Sequence, residues 1–415
     1  MLSEQIFRRE WGRLVAALTR LFGVHNLALA EDVVQDAFSR ALEAWQAHGV
    51  PDNPGAWLMA TAKHRALDIV RRERTARRFA PELGRLLETE WTLAPLVEEA
   101  FALHTVRDEQ LRMMFSCCHP QLAHEAQLAL ILNILCGFGA KEIASAFLVG
   151  RAAVEKRISR GKQLLAGSTR LFDLSHREFD ARLSTVGRAL YLLFNEGYHG
   201  ASDSAVRVEL CHEALRLTRL LLEHPAARVP SLHALAALLC LHAARLPARV
   251  DEAGDLSALV DQERSRWDTK LIEEGLQQLE LSASGRELSA YHLEAALAAA
   301  HASAPSLEMT DFAGIVALYD RLLLVAPSPI VALNRAIAIG RRDGPTLGLA
   351  ALRAIADADR LTRYPFYAAA FAELELQRGQ FAAAAAHFEH ALTLARNDAE
   401  RRFLRKRLAE CNARS

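Results

Sequence analysis

Two clusters of basic side chains carry the most legible chemistry in this chain, and that chemistry is the binding of polyanions. Between Lys63 and Arg78 (KHRALDIVRRERTARR) seven Lys and Arg stand against two acids. At helical spacing Leu58, Ala62, Ala66 and Ile69 share one face, while Lys63, His64, Arg71 and Arg74 project from the opposite one. Such a stripe suits phosphates and base edges. In the second cluster, from Arg151, Val154, Ile158, Gly161 and Leu165 form a packing face, with Lys156, Ser159, Arg160 and Gln163 pointing outward and Arg157 at the flank. Ala140 to Phe147 and the turn Leu148-Val149-Gly150 precede it, which is the layout of a helix-turn-helix whose second helix enters a major groove.

Other reactive side chains lack the spacing that chemistry needs. Glu196, His199, Asp203, His212 and the acids between Asp251 and Glu263 lie in no glycine-rich phosphate loop and no metal-ligand pattern, so no enzyme is expected. Cys117, Cys118 and His119 are consecutive, and on a helix they point about 100° apart, so no metal and no other cofactor is expected there. The remaining cysteines also lack CxxC spacing and are expected to be buried apolar side chains.

The elements that must position the basic faces are helices. Ala, Leu, Glu and Arg recur at three- and four-residue spacing and alternating strand patterns are nearly absent, which predicts an all-α fold. With 415 residues, 51% of them hydrophobic, the chain can bury several cores. Fifty basic and fifty acidic side chains cancel, so polyanion binding must come from local patches. The charged N-terminus and the absence of an 18-residue apolar run predict a cytoplasmic protein with no membrane partner.

Breakers at Pro51 to Gly55, Gly137 to Gly139, Val149-Gly150 and Gly167-Ser168 divide the first third. Three segments are expected there: 1–78, an acidic linker over 79–107 with Glu82, Glu88, Glu90, Glu98 and Glu99, and the helix-turn-helix segment 108–168. Beyond it lie a helical extension, 169–290, and a repeat segment, 291–415. Gly379, Phe381, Ala384, Phe388, Ala391 and Leu392 fit the spacing of a tetratricopeptide helix pair. Phe312, Ile315, Tyr319, Leu322 and Pro327 occupy corresponding positions, with Leu347, Ala350 and Ala354 between them at about the 34-residue period.

In Ala30 to Trp45 (AEDVVQDAFSRALEAW), Val34, Phe38, Ala41, Leu42 and Trp45 share one face and Asp32, Gln35, Asp36, Ser39 and Glu43 the other. The order of these segments over residues 5–166 resembles the extracytoplasmic-function sigma factors. AEDVVQDAFSRALEAW resembles the helix that docks on core RNA polymerase; the resemblance implies that Asp32, Gln35, Asp36, Phe38 and Trp45 bind it. WLMATAKHRALDIVRRE resembles the helix that melts and reads the minus-ten promoter element, implying DNA contacts from Trp57, Lys63, His64, Arg71, Arg72 and Arg74, with His64 where Asn is commoner. KEIASAFLVGRAAVEKRISRGKQLL is similar to the module that reads the minus-thirty-five element, implying Arg151, Lys156, Arg157, Ser159, Arg160 and Gln163.

SCCHPQL at 116–122, YLLFNEGYHG at 191–200, the segment Ala248 to Trp267 and PSPIVALNRAIAI from Pro327 resemble the subgroup with a C-terminal helical, tetratricopeptide-like extension. Gly150-Arg151-Ala152-Ala153 replaces the Pro and Thr common in that subgroup. The resemblance implies core polymerase and promoter DNA as partners, with an unknown protein or peptide at the extension. The competing reading is a conventional helix-turn-helix regulator with a ligand- or peptide-sensing repeat domain; it leaves the helices at Ala30 to Trp45 and Lys63 to Arg78 without a role.

Overall fold

The computed structural model describes residues 2–74, 103–147, 149–168, 172, 179–199, 206–249 and 256–414. Among these the fold is all-α, and the chain divides into two compact units, Met1–Leu193 and Phe194–Ser415. Most of the expected acidic linker, including all five of its named glutamates, lies outside the described residues.

The first unit opens with α1 (Leu2–Phe22), α2 (Leu27–His48) and α3 (Pro54–Arg74), each packed on the other two. Leu14, Val15, Leu18 and Phe22 of α1 are buried, as are Val34 and Ala37 of α2 and Leu58, Ala62 and Ala66 of α3. Gly23 and Gly49, both at positive φ, make the two chain reversals. A second group follows: α4 (Leu103–Cys117), α5 (His124–Leu130) prolonged by the π turn Ile131–Leu135, α6 (Ala140–Ala146) and α7 (Arg151–Ala166).

The two groups share a core. Helix α1 packs on α4 and on the π turn, Arg20 Nη1 lies 2.9 Å from Glu109 Oε1, and Gly137 at positive φ seats against Trp11 and Phe7. At the tightest point, a Cβ on Gly12 would overlap the carbonyl oxygen of Leu135. Gly→Ala inside a helix normally stabilises by about 1 kcal/mol. Here the sign should invert: Gly12→Ala is expected to destabilise the first unit by about 1–3 kcal/mol through overpacking against backbone. Urea unfolding of the full chain, followed by tryptophan fluorescence, measures it, and a midpoint at or above the parent's would show that the two groups do not meet there.

The unit continues past Ser168 into α8 (Phe179–His199), because aromatic packing draws α8 onto α4. The ring of Phe115 stacks on Phe179 at 4.5 Å and on Phe172 at 5.2 Å. Arg182 lies 4.5 Å over the Phe172 ring and donates to the Phe115 carbonyl, while the Phe172 amide donates to Ser116 Oγ at 3.0 Å. The neighbouring Cys117 and Cys118 are buried, and burial pushes the Cys118 thiol up to about 12, so both pack as small apolar groups.

In the second unit α9 (Val208–Glu223), α10 (Pro230–Ala243), α11 (Leu246–Arg249), α12 (Thr269–Ser282) and α13 (Ala290–Ser303) come first. Helix α10 is apolar all round and is enclosed by α9, α12 and α13. An array follows in which each helix packs on the next: α13, α14 (Phe312–Val325), α15 (Pro329–Asp343), α16 (Pro345–Arg353), α17 (Pro365–Gln377), α18 (Phe381–Leu394) and α19 (Asp398–Asn412). Ala384, Phe388 and Ala391 of the repeat spacing are buried between α17 and α19. Small residues set the helix spacing, since a Cβ on Gly348 would lie 2.7 Å from the Gly340 Cα.

Candidate nucleic-acid interface

Helices α2 and α3 form the first surface. Phe38 is 8% exposed and its ring sits 4.5 Å from Phe7 and 6.4 Å from Trp11, so it holds α2 to α1. Asp36 is half-buried, with Oδ2 3.3 Å from Arg40 Nε and 3.2 Å from Arg65 Nε, which ties α2 to α3. Trp45 and Trp57, both half-buried, meet edge to face at 5.7 Å where the two helices converge. Asp32 and Gln35 are exposed on α2. Of the residues expected to face DNA on α3, Lys63 is half-buried and His64 is exposed; the side chains of Arg71, Arg72 and Arg74 lie outside the described residues.

Leu42 departs from the expected core face. It is 55% exposed and lies with Asp32, Gln35 and Ser39 on one solvent-facing stripe of α2. Its spacing (32, 35, 39, 42) follows helical periodicity, a signal that competed in the sequence with the equally regular stripe of Val34, Phe38, Ala41 and Trp45.

Helices α6 and α7 form the second surface, with Leu148 of the turn outside the described residues. Val154, Ile158, Gly161 and Leu165 are buried, and Gly161 admits Leu130 of α5, whose Cδ1 would stand 2.5 Å from an added Cβ. Lys156, Ser159, Arg160 and Gln163 are exposed, Arg157 is half-buried, and Arg151 is exposed but held 2.7 Å from Glu155. Two exposed cations, Lys156 and Arg160, thus share one face without a carboxylate partner among the described residues. Periodicity does not reveal the link between the surfaces: Lys162 Nζ of α7 lies 2.6 Å from Glu31 Oε1 of α2.

The residues weighed for catalysis do not form a comparable site. Burial pushes Glu196 up to about 7 against Arg207 and Arg396, and burial also lowers His212; Asp203 and the His199 side chain lie outside the described residues. No group of three or more His, Cys, Asp or Glu placed to hold a metal occurs among the described residues. No helix among them is long and apolar enough to cross a membrane.

The first unit thus sets a three-helix module α1–α3, with a charged α2 and a basic α3, ahead of the helix pair α6 and α7. Residues 7–76 match Sigma-70 region 2, and residues 182–283 match a Family of unknown function (DUF6596). Residues 7–76 thus carry Sigma-70 region 2, which supports a sigma-70 family factor. An uncharacterized protein of Rhizobium meliloti (strain 1021) is 38% identical over 398 residues, covering 95% of this chain and 92% of its own length, and the chain belongs to one family with it.

Proposed function

We propose that the chain is a sigma factor of the extracytoplasmic-function type, acting in the cytoplasm, whose first unit directs core RNA polymerase to a promoter. On this reading the exposed stripe of α2, Asp32 and Gln35 extended by Leu42, docks on polymerase, with Asp36, Phe38 and Trp45 holding that helix in place. Helix α3, with Trp57, Lys63, His64, Arg71, Arg72 and Arg74, engages the minus-ten element. Helix α7 reads the minus-thirty-five element through Lys156, Arg160, Ser159 and Gln163, flanked by Arg151 and Arg157. The second unit is a tetratricopeptide-like extension that regulates this activity in cis or through a protein or peptide partner. The observation that carries the reading is the pair of unpartnered exposed cations on α7 in a chain that also bears Sigma-70 region 2.

A chain of zero net charge should bind duplex DNA weakly until polymerase places its basic patches together. Promoter affinity is therefore expected to be low for the free protein and high with core enzyme, and Asp32→Ala or Leu42→Ser is expected to weaken core binding without altering promoter preference. Tight, sequence-specific binding by the free protein at physiological salt would instead mark a conventional helix-turn-helix regulator.

A further inference from the structure

One cavity and one sequence motif in the second unit have no part in polymerase or DNA binding. The cavity, about 420 Å³, lies along alternate helices of the array: Ile337 and Arg341 come from α15, Phe366 and Glu373 from α17, Phe403 from α19. Phe312 and Tyr319 of α14 and His301 of α13 close one side. The remaining wall is Leu256 to Asp261, described residues of the motif between Ala248 and Trp267 that line the cavity.

That wall is fastened. Gln262 is buried, accepts from Arg245 Nε at 3.2 Å and donates to the Ser257 carbonyl at 3.0 Å. Arg264 donates to the carbonyls of His301 at 2.5 Å and Ala304 at 2.6 Å, and its guanidinium lies 4.8 Å from the centre of the Trp267 ring. These bonds hold Leu256 to Asp261 as a fixed wall of the cavity. What remains is a chamber near the lower end of the range for small-molecule sites, about 300–1,000 Å³.

Its lining defines a ligand. Phe312, Tyr319, Tyr364, Phe366 and Phe403 offer aromatic surface, and Ile337, 38% exposed, offers an aliphatic one. Glu373 accepts two short hydrogen bonds from Arg407, which also donates to Glu410 at 2.6 Å, and Arg249 is engaged with the carbonyl and the ring of Tyr198. Arg341 has no carboxylate partner among the described residues and is exposed at the cavity. His301 Nδ1 is buried without a partner, and burial, helped by Arg245 and Arg264, pushes the imidazole down to about 4, so it is neutral at pH 7.

We propose that this cavity binds a small amphipathic organic anion, with an aromatic or branched aliphatic body between Phe312, Tyr319, Phe366 and Phe403 and one anionic group paired with Arg341. The neutral His301 supplies a further hydrogen bond. The site belongs to the second unit by itself and stands or falls independently of promoter recognition.

The probe is 8-anilinonaphthalene-1-sulfonate, titrated into the full chain with fluorescence and calorimetry, with the uncharged N-phenyl-1-naphthylamine as control. Saturable binding at one site per chain is expected for the anion. Arg341→Gln should weaken it at least about tenfold, as loss of a charge-assisted bond does, while leaving the uncharged control unchanged. Ile337→Trp, which fills the cavity from a half-open position, should block both probes. Thermal melts matching the parent's establish that both variants fold. Absence of saturable binding, or binding that survives both substitutions, overturns the site; binding lost in Ile337→Trp but unchanged in Arg341→Gln overturns the anionic class.

Discussion

Holoenzyme carrying Lys156→Ala together with Arg160→Ala is expected to bind its promoter about 30-fold more weakly or worse, with core polymerase binding unchanged. A good side-chain contact to a base edge contributes about 1–3 kcal/mol to discrimination, and two contacts four residues apart on one helix face are close enough to couple, so the double loss exceeds either single loss without equalling their sum. Both side chains are exposed, and the buried face of Val154, Ile158, Gly161 and Leu165 is untouched, so the folding cost stays within about 0.5 kcal/mol. Arg151, by contrast, is already held by Glu155, and its loss should cost less. Transcript-start mapping after overexpression identifies the promoter, and fluorescence anisotropy with matched and scrambled minus-thirty-five elements then gives the affinities. An equal loss on both DNAs would reassign the pair to phosphate contacts, and an equal loss of core binding would end the division of labour between α2 and α7.

The second large effect concerns where the first unit can be cut. A fragment ending at Ser168 loses Phe172 and Phe179, which stack on Phe115, and Arg182, which donates to the Phe115 carbonyl. Burying a large apolar side chain contributes about 1.5–3 kcal/mol, so losing the two rings removes a large share of a domain's stability, about 5–15 kcal/mol. The Ser168 fragment is expected to lose its near-ultraviolet circular dichroism and cooperative melt. A fragment ending at His199 keeps α8 and is expected to fold and bind core polymerase, yet to transcribe below the level of the full chain at equal core occupancy. Equal melting midpoints for the two fragments would show that α8 is dispensable to the first unit. Equal transcription by the His199 fragment and the full chain would remove the regulatory role of the second unit.

Faces and helices were legible in the sequence because each depends on spacing within one helix. The buried set of α7 follows from its 3.6-residue period, as do the buried Ala384, Phe388 and Ala391. Pairings between helices leave no such trace. Arg65 and Asp36, or Lys162 and Glu31, are far apart in sequence, and charge alone does not select them from among fifty residues of each sign. Composition placed a boundary after Ser168, whereas the stacking of Phe115, Phe172 and Phe179 carries the unit to Leu193. Ser116 to Leu122 and Ala248 to Trp267 are recognisable as segments, but their work, receiving α8 and walling a cavity, is visible only once distant helices come together.

The core shared by the two helix groups of the first unit also fixes a length. A compact body of 193 residues has a radius of gyration of about 16 Å and spans roughly 40 Å. On B-form DNA, elements centred at minus ten and minus thirty-five stand about 25 base pairs apart, or roughly 85 Å at 3.4 Å per step. The closed body is shorter than that ruler by half. For α3 and α7 to occupy both elements at once, α4–α7 must part from α1–α3, giving up the Gly12 contact and the pairs Arg20–Glu109 and Glu31–Lys162. On the proposed function, the strength of that shared core would set how much of the free factor stands open before polymerase arrives, and polymerase would shift the balance by whatever difference in affinity it has for the two forms.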